Sequence, residues 1–159
     1  MAATQIADPV ITVGDWLTAG WNAANSLTLT PTISKGGWYN RDNDLATFKV
    51  TVTPNAENQR TGYLGTAGPG ALWDGTVDVN IWTSPAVFAD GTAKVALAKK
   101  LAYEGRQEVD RLIRSNQLAS SELLIARTLN RIPLPDTRGR PVVFRWLCEV
   151  GYSWIELAA

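Results

Sequence analysis

Residues 73–113 constrain the fold of this chain more than any other stretch. Residues 76–83 alternate apolar and polar side chains, which is typical of a strand with one face on a core. From Thr92 to about Ser115, apolar residues recur at three- and four-residue spacing, which predicts one long amphipathic helix. Gly105 lies on that apolar stripe, and we expect the helix backbone to approach the sheet closely there.

The N-terminal third carries weaker patterns. An aspartate followed by proline suits the start of a helix, so we expect a short helix within residues 8–27, although residues 10–13 would also suit a strand. Residues 28–33 have strand composition, and their proline would confine that strand to a sheet edge. Residues 45–53 alternate cleanly and predict a strand with one face on the core.

Residues 122–130 and 142–157 predict two closing strands. Leu129 is expected on the apolar side of the first, and Gly151 suggests a bulge in the second. Together the elements predict one α+β domain over residues 1–159. It would contain a mostly antiparallel sheet of four to five strands, one long helix packed across it and a short N-terminal helix.

The segment 54–75 holds five glycines and little periodic apolar content, so it predicts a long irregular loop. A surface loop is the simpler interpretation. The alternative is an arm that orders only against a partner, because Tyr63, Leu64, Leu72 and Trp73 would otherwise be exposed apolar groups.

Composition argues against catalysis. The chain has no histidine, which removes the commonest general base and transition-metal ligand, and its one cysteine, Cys148, has no partner for an intrachain disulfide. Its glycines do not form a phosphate-binding or dinucleotide motif, and the Asp-Asn-Asp sequence at residues 42–44 lacks the rest of a calcium loop. We therefore expect no enzyme activity, no cofactor and no metal. No signal peptide or membrane-spanning segment is expected either.

Two groups of residues suggest partner contacts instead. Tryptophan is frequent, with seven residues. Core filling is the simpler interpretation of any one of them. The alternative is a subunit contact, for which Trp73 and Trp82 are predicted to face outwards. Arg131, Arg138 and Arg140 surround the last predicted turn, as a solvated tip or as a contact for an acidic partner or DNA. The net charge is zero, so no long-range field favours nucleic acid or an anionic membrane.

The sequence Thr-Val-Asp-Val-Asn-Ile-Trp-Thr at residues 76–83, a long helix starting near Ala93 and two closing strands resemble the tail-terminator (tail-completion, minor tail) proteins of long-tailed bacteriophages. The shared order of elements covers roughly residues 45–157. The resemblance implies a virion protein without catalytic residues that assembles in the host cytoplasm. Its copies would form a homohexameric ring on the tail tube, dock to the head-completion or connector protein and let DNA pass.

The first 44 residues are richer in tryptophan and turn residues than a simple leading helix would be. A related head-closure, neck or tail-tube subunit is therefore an open alternative. A more distant one is a tryptophan-rich module that binds a carbohydrate or another flat ligand on exposed rings.

Overall fold

A computed structural model describes residues 8–60, 70–88, 94–117, 125–135 and 142–157. Three α-helices and five strands account for most of these residues. In chain order they are α1 (Pro9–Gly20), β1 (Thr32–Lys35), α2 (Arg41–Asp44), β2 (Lys49–Arg60), β3 (Gly70–Thr83), α3 (Val95–Asn116), β4 (Ile125–Pro133) and β5 (Phe144–Leu157).

The five strands form one mixed sheet in the order β1-β2-β3-β5-β4. β1 runs parallel to β2, and the other three pairings are antiparallel. This confirms the predicted α+β fold with a mostly antiparallel sheet. β5 is inserted between β3 and β4, so strands distant in sequence meet at the centre of the sheet.

The core lies between one face of the sheet and the helices α1 and α3. The residues that alternation placed inwards in segments 45–53 and 76–83 are all buried, namely Phe48, Val50, Val52, Val77, Val79 and Ile81. The long helix begins three residues later than predicted and buries its apolar stripe against them. Gly105 on this stripe is needed for close packing, because a Cβ there would lie 2.9 Å from Cγ2 of Ile81 and 3.2 Å from Cζ of Phe48.

The predicted N-terminal helix is confirmed as α1. Asp8 caps it by accepting a hydrogen bond from the Val10 N–H (2.9 Å), and Pro9 occupies the first turn, where its missing N–H costs nothing. α1 packs on α3 and on the β1–β2 edge of the sheet.

The first strand covers residues 32–35 instead of the predicted 28–33. Leu27 and Thr28 both adopt positive φ angles, 48° and 60°, and the Leu29 N–H donates to the Ser26 carbonyl at 2.9 Å. These are features of a type I′ turn, a conformation that leucine and threonine disfavour. The prediction that β1 begins at residue 28, which was based on strand-like composition, is therefore wrong.

One carboxylate of α3 holds the chain between α1 and β1. Glu108 is 1% exposed and accepts hydrogen bonds from the Asn22 N–H (2.9 Å), from Nδ2 of Asn25 (2.7 Å) and from Nε of Arg111 (2.9 Å). Burial alone would raise the pKa of Glu108, but these donors outweigh it and hold the pKa below its ordinary value. Sequence reasoning missed this residue, although it lies beside the apolar stripe.

The predicted irregular loop at residues 54–75 is wrong over most of its length. β2 continues to Arg60 and β3 begins at Gly70, with Arg60 opposite Leu72 and one register shift near Pro54. Glycines in this region suggested irregular backbone, whereas Gly75 serves the sheet, since a Cβ there would collide with the Tyr152 ring. Residues 61–69 lie outside the described part of the chain.

The closing strands also differ in detail from the prediction. Ala126 of β4 is buried in the core, while Leu129, where the register of β4 shifts between Thr128 and Asn130, is 46% exposed. The bulge expected at Gly151 is thus on the neighbouring strand. Gly151 makes room for Leu129, whose Cδ1 would lie 2.8 Å from a Cβ at that position.

Candidate interaction surfaces

Trp82 does not form an outward surface, so this part of the predicted interface is wrong. It lies on the sheet face opposite the helices, but it is only 8% exposed and its Nε1 donates to Oγ1 of Thr51 at 3.0 Å. The alternation of side chains along β3 predicted this face of the sheet correctly. What covers the ring is the chain between β1 and α2, which sequence alternation within one strand does not reveal.

Trp38 and Tyr39 form this cover. The Tyr39 ring stacks on Trp82 with centroids 4.7 Å apart, and the Trp38 ring meets it edge-on at 5.4 Å. Arg145 completes the cluster, with Cζ 4.6 Å from the Trp82 centroid and Nε donating to Oδ1 of Asn80 at 2.7 Å. Trp38 is 50% exposed, so it takes the outward position expected of Trp82.

The far ends of β2 and β3 form a hairpin arm, residues 54–60 and 70–75. Residues 50–52 of β2 are all buried, but residues 54–58 are exposed at every position. Both faces of β2 are therefore accessible at residues 54–58, whereas Gly75 of β3 and Tyr152 of the paired strand β5 are buried. Trp73 lies on the arm and is partly exposed. Leu72 is part of strand β3 within the arm. Tyr63 and Leu64, which were also predicted to contact a partner, lie outside the described residues.

One edge of this arm has no neighbouring strand. β1 pairs with β2 only along residues 49–52, and from residue 53 onwards no other described strand lies on the edge of β2 that faces away from β3. A strand edge of this kind is a template for pairing with another chain. The opposite edge of the sheet is β4, which is interrupted by the bulge near Leu129 and ends at Pro133, features that discourage pairing.

Arg131 lies in a groove between α3 and β4, while Arg138 and Arg140 are outside the described residues. It forms an ion pair with Asp110, which also accepts from Oγ1 of Thr128 at 3.0 Å. Two adjoining cavities of about 130 and 340 Å³ form this groove. We call it the arginine groove, because five arginines line it: Arg106, Arg111, Arg114, Arg127 and Arg131.

Sequence reasoning found one arginine of this groove and missed four. Arg106, Asp110 and Arg114 follow four-residue spacing and therefore share a face of α3. That periodicity was a usable signal for a charged stripe. The approach of α3 to β4, which adds Arg127 and Arg131, is a tertiary contact that no local pattern shows.

Cys148 and Asp44, the thiol and one of the acidic residues considered above, have structural surroundings. Cys148 is fully buried, and burial raises the pKa of its thiol to about 12, so it remains protonated and unreactive at neutral pH. Asp44 binds Nζ of Lys49 at 2.8 Å and the Asn40 N–H at 2.7 Å, which is a structural role at the start of α2. Within the same regions, no group of three acidic or cysteine side chains is close enough to hold a metal ion.

The fold and these surfaces define an α+β protein with a mixed five-stranded sheet, α1 and α3 on one face, a hairpin arm with an uncovered edge and a basic groove. None of the helices in the described segments is long and apolar enough to cross a membrane. No protein-family model matches the chain, and a search of curated proteins finds no significantly similar sequence.

Proposed function

We propose that this chain is a non-catalytic virion assembly subunit, related in role to the tail terminators it resembles, and that its copies join head to tail into a ring. In this role the ring occupies the head-proximal end of a tail tube and contacts the tube and head-completion proteins. Head-closure, neck or tube subunits are the nearest alternatives and use the same assembly chemistry.

The hairpin arm is the observation that carries this proposal. It offers an unpaired strand edge, accessible side chains on both faces of residues 54–58, and a partly exposed Trp73. In a head-to-tail ring each copy presents two different patches, and closure satisfies every one of them. An uncovered strand edge suits such a contact, since main-chain pairing with a neighbour supplies affinity.

The uncovered edge is long enough for a substantial contact. Residues 53–60 of β2 rise about 3.3 Å each, so the edge extends for roughly 25 Å. A neighbouring strand of that length forms several backbone hydrogen bonds and brings its side chains against those of the arm. The absence of net charge also means that copies do not repel one another at long range.

Light scattering coupled to size-exclusion chromatography, followed by electron microscopy, tests the proposal. We expect discrete oligomers and ring-shaped particles at high concentration or with the tube protein present. A protein that remains strictly monomeric under both conditions refutes it.

A matched pair of variants tests the role of the arm. Ala56→Lys puts a charge on the exposed edge strand, a change that natural edge strands use to prevent pairing. Ala96→Lys makes the same change at an exposed position of α3. We expect the first variant to lose oligomers and the second to retain them. Equal assembly by both variants would exclude the arm as the contact.

A second candidate function rests on Trp38. Its half-exposed ring beside Arg145 is a platform on which a sugar or another flat ligand can stack. Titration with a glycan panel tests this, because ligand stacking on Trp38 changes tryptophan fluorescence. Fluorescence that no glycan changes removes this candidate.

A further inference from the structure

We infer that the arginine groove is a binding site for the phosphate backbone of a nucleic acid. This goes beyond the proposed assembly role, because the groove lies within one copy of the chain and its binding does not require a ring. The chain as a whole is neutral, so the basic character of this surface is local.

The charge balance of the groove favours an anion. Asp110 is the one carboxylate among its lining residues, against five guanidinium groups. Asp110 is shared by Arg131 and, at 3.7 Å, by Arg106. Arg111 is held by Glu108. These pairs fix three guanidinium groups in place but leave the positive charge of the groove in excess.

Two arginines have no acidic partner within the described segments. Arg114 and Arg127 line the groove, and no ion pair joins either to a described acidic residue. Arg114 is exposed near the end of α3, and Arg127 is exposed on the edge strand β4. Guanidinium groups bind phosphate oxygens through two parallel hydrogen bonds, so both are available for such contacts.

Preorganisation distinguishes this groove from an ordinary basic surface. The guanidinium of Arg106 lies 4.7 Å from the Tyr103 ring centroid and 5.0 Å from that of Trp146, and its Nε is buried without a hydrogen-bond partner. Packing on the two rings therefore holds a cation in place before any ligand arrives. A site with its side chains already ordered loses less entropy on binding.

The length of the groove favours a polymer over a single phosphate. Its lining on α3 extends from Arg106 to Gln117, which is about 16 Å at 1.5 Å per residue. One strand of DNA carries a phosphate every 3.4 Å along the axis, so this length matches roughly five phosphates. A small phosphorylated molecule would leave most of the groove empty.

Fluorescence anisotropy with a labelled 12-base-pair duplex of mixed sequence tests the inference across 50–200 mM NaCl. We expect binding whose logarithm falls with the logarithm of salt concentration at a slope of about −3 to −4. Removing two contacts in the double variant Arg114→Ala/Arg127→Ala should lower affinity roughly 60-fold at 0.1 M salt and make the slope less steep by about 2. Both residues are exposed, so we expect the fold to survive.

The double variant Lys99→Ala/Lys100→Ala is the matched control, since it removes two exposed charges from the other half of α3. We expect it to bind like the wild type. An equal loss in both double variants, or no duplex binding by the wild type, overturns the inference. So does arginine-dependent binding of pyrophosphate or of a polyglutamate peptide without duplex binding, because the ligand would then be a small phosphate or an acidic protein. Ala56→Lys, which targets assembly, should leave duplex binding unchanged, so the two proposals can fail separately.

Discussion

Replacing Glu108 with glutamine removes the charge that holds the N-terminal segment on α3. The carboxylate accepts hydrogen bonds from Asn22, Asn25 and Arg111 on two oxygens. Glutamine keeps one accepting oxygen, and its amide N–H groups then face donors. Hydrogen bonds to a charged group contribute about 1.5–3 kcal/mol each, and breaking a buried pair costs about 3–5 kcal/mol. We therefore expect Glu108→Gln to lower the free energy of unfolding by about 3 kcal/mol at pH 7.

Urea denaturation followed by tryptophan fluorescence measures this loss. With a slope of about 2 kcal/mol per M, the midpoint should fall by roughly 1.5 M, and the melting temperature should fall by about 6–12 °C. Glu104→Gln is the control one helical turn away. Glu104 accepts one hydrogen bond, from the Leu27 N–H at 3.1 Å, and is more exposed, so about 1 kcal/mol is expected. A Glu108→Gln variant within about 0.5 kcal/mol of the wild type would refute this reasoning.

The pH dependence of the same variant gives a second readout. The pKa of Glu108 is lowered in the folded protein, so its contribution is complete above the unfolded value of about 4.3 and is lost as the pH falls through the folded value. The stability difference between wild type and Glu108→Gln should therefore narrow below about pH 4. A difference that stays constant from pH 7 to pH 3 would show that the charge is not responsible.

Three further predictions concern other parts of the fold. Gly105→Ala should destabilise the protein by about 1–3 kcal/mol in urea denaturation, because its Cβ meets Ile81 and Phe48, and a neutral result would show that α3 can shift. Thr28→Gly should raise the melting temperature, since it relieves a φ of 60° worth about 1 kcal/mol, and a lower melting temperature would contradict the strain. The Cys148 thiol should not react with a thiol reagent at pH 8 until urea unfolds the chain, whereas fast reaction of the native protein would contradict its burial and raised pKa.

Local periodicity correctly predicted the strands and the helix that bury one face against the core and expose the other. Val77, Val79 and Ile81 have the two-residue period of a half-buried strand, and α3 has the helical period, so the core face of both was readable. The same rule failed in β4, where Ala126 faces the core and Leu129 lies at a register shift against β5. Cross-strand geometry of this kind is absent from a one-dimensional pattern.

The interaction surfaces were less predictable because they are made by distant segments. Alternation placed Trp82 on the face without helices, but its burial depends on Trp38 and Tyr39 more than forty residues earlier. The glycine content of residues 54–75 suggested a loop, but the arm forms paired strands. Gly75 is needed there because a side chain at this position would collide with the Tyr152 ring on the neighbouring strand. A glycine in the sequence is compatible with a loop or with close packing in a strand. Which of the two it forms depends on the residue opposite it in the sheet.

The position of β5 has a consequence for how the molecule forms. During synthesis β3 and β4 leave the ribosome before the strand that separates them, and β4 has β5 as its only partner among the described strands. Pairing β3 with β5 closes loops of about 60 to 90 residues, which slows folding. The nascent chain therefore carries two open strand edges until its last strand emerges, and that interval is when it most needs protection from aggregation.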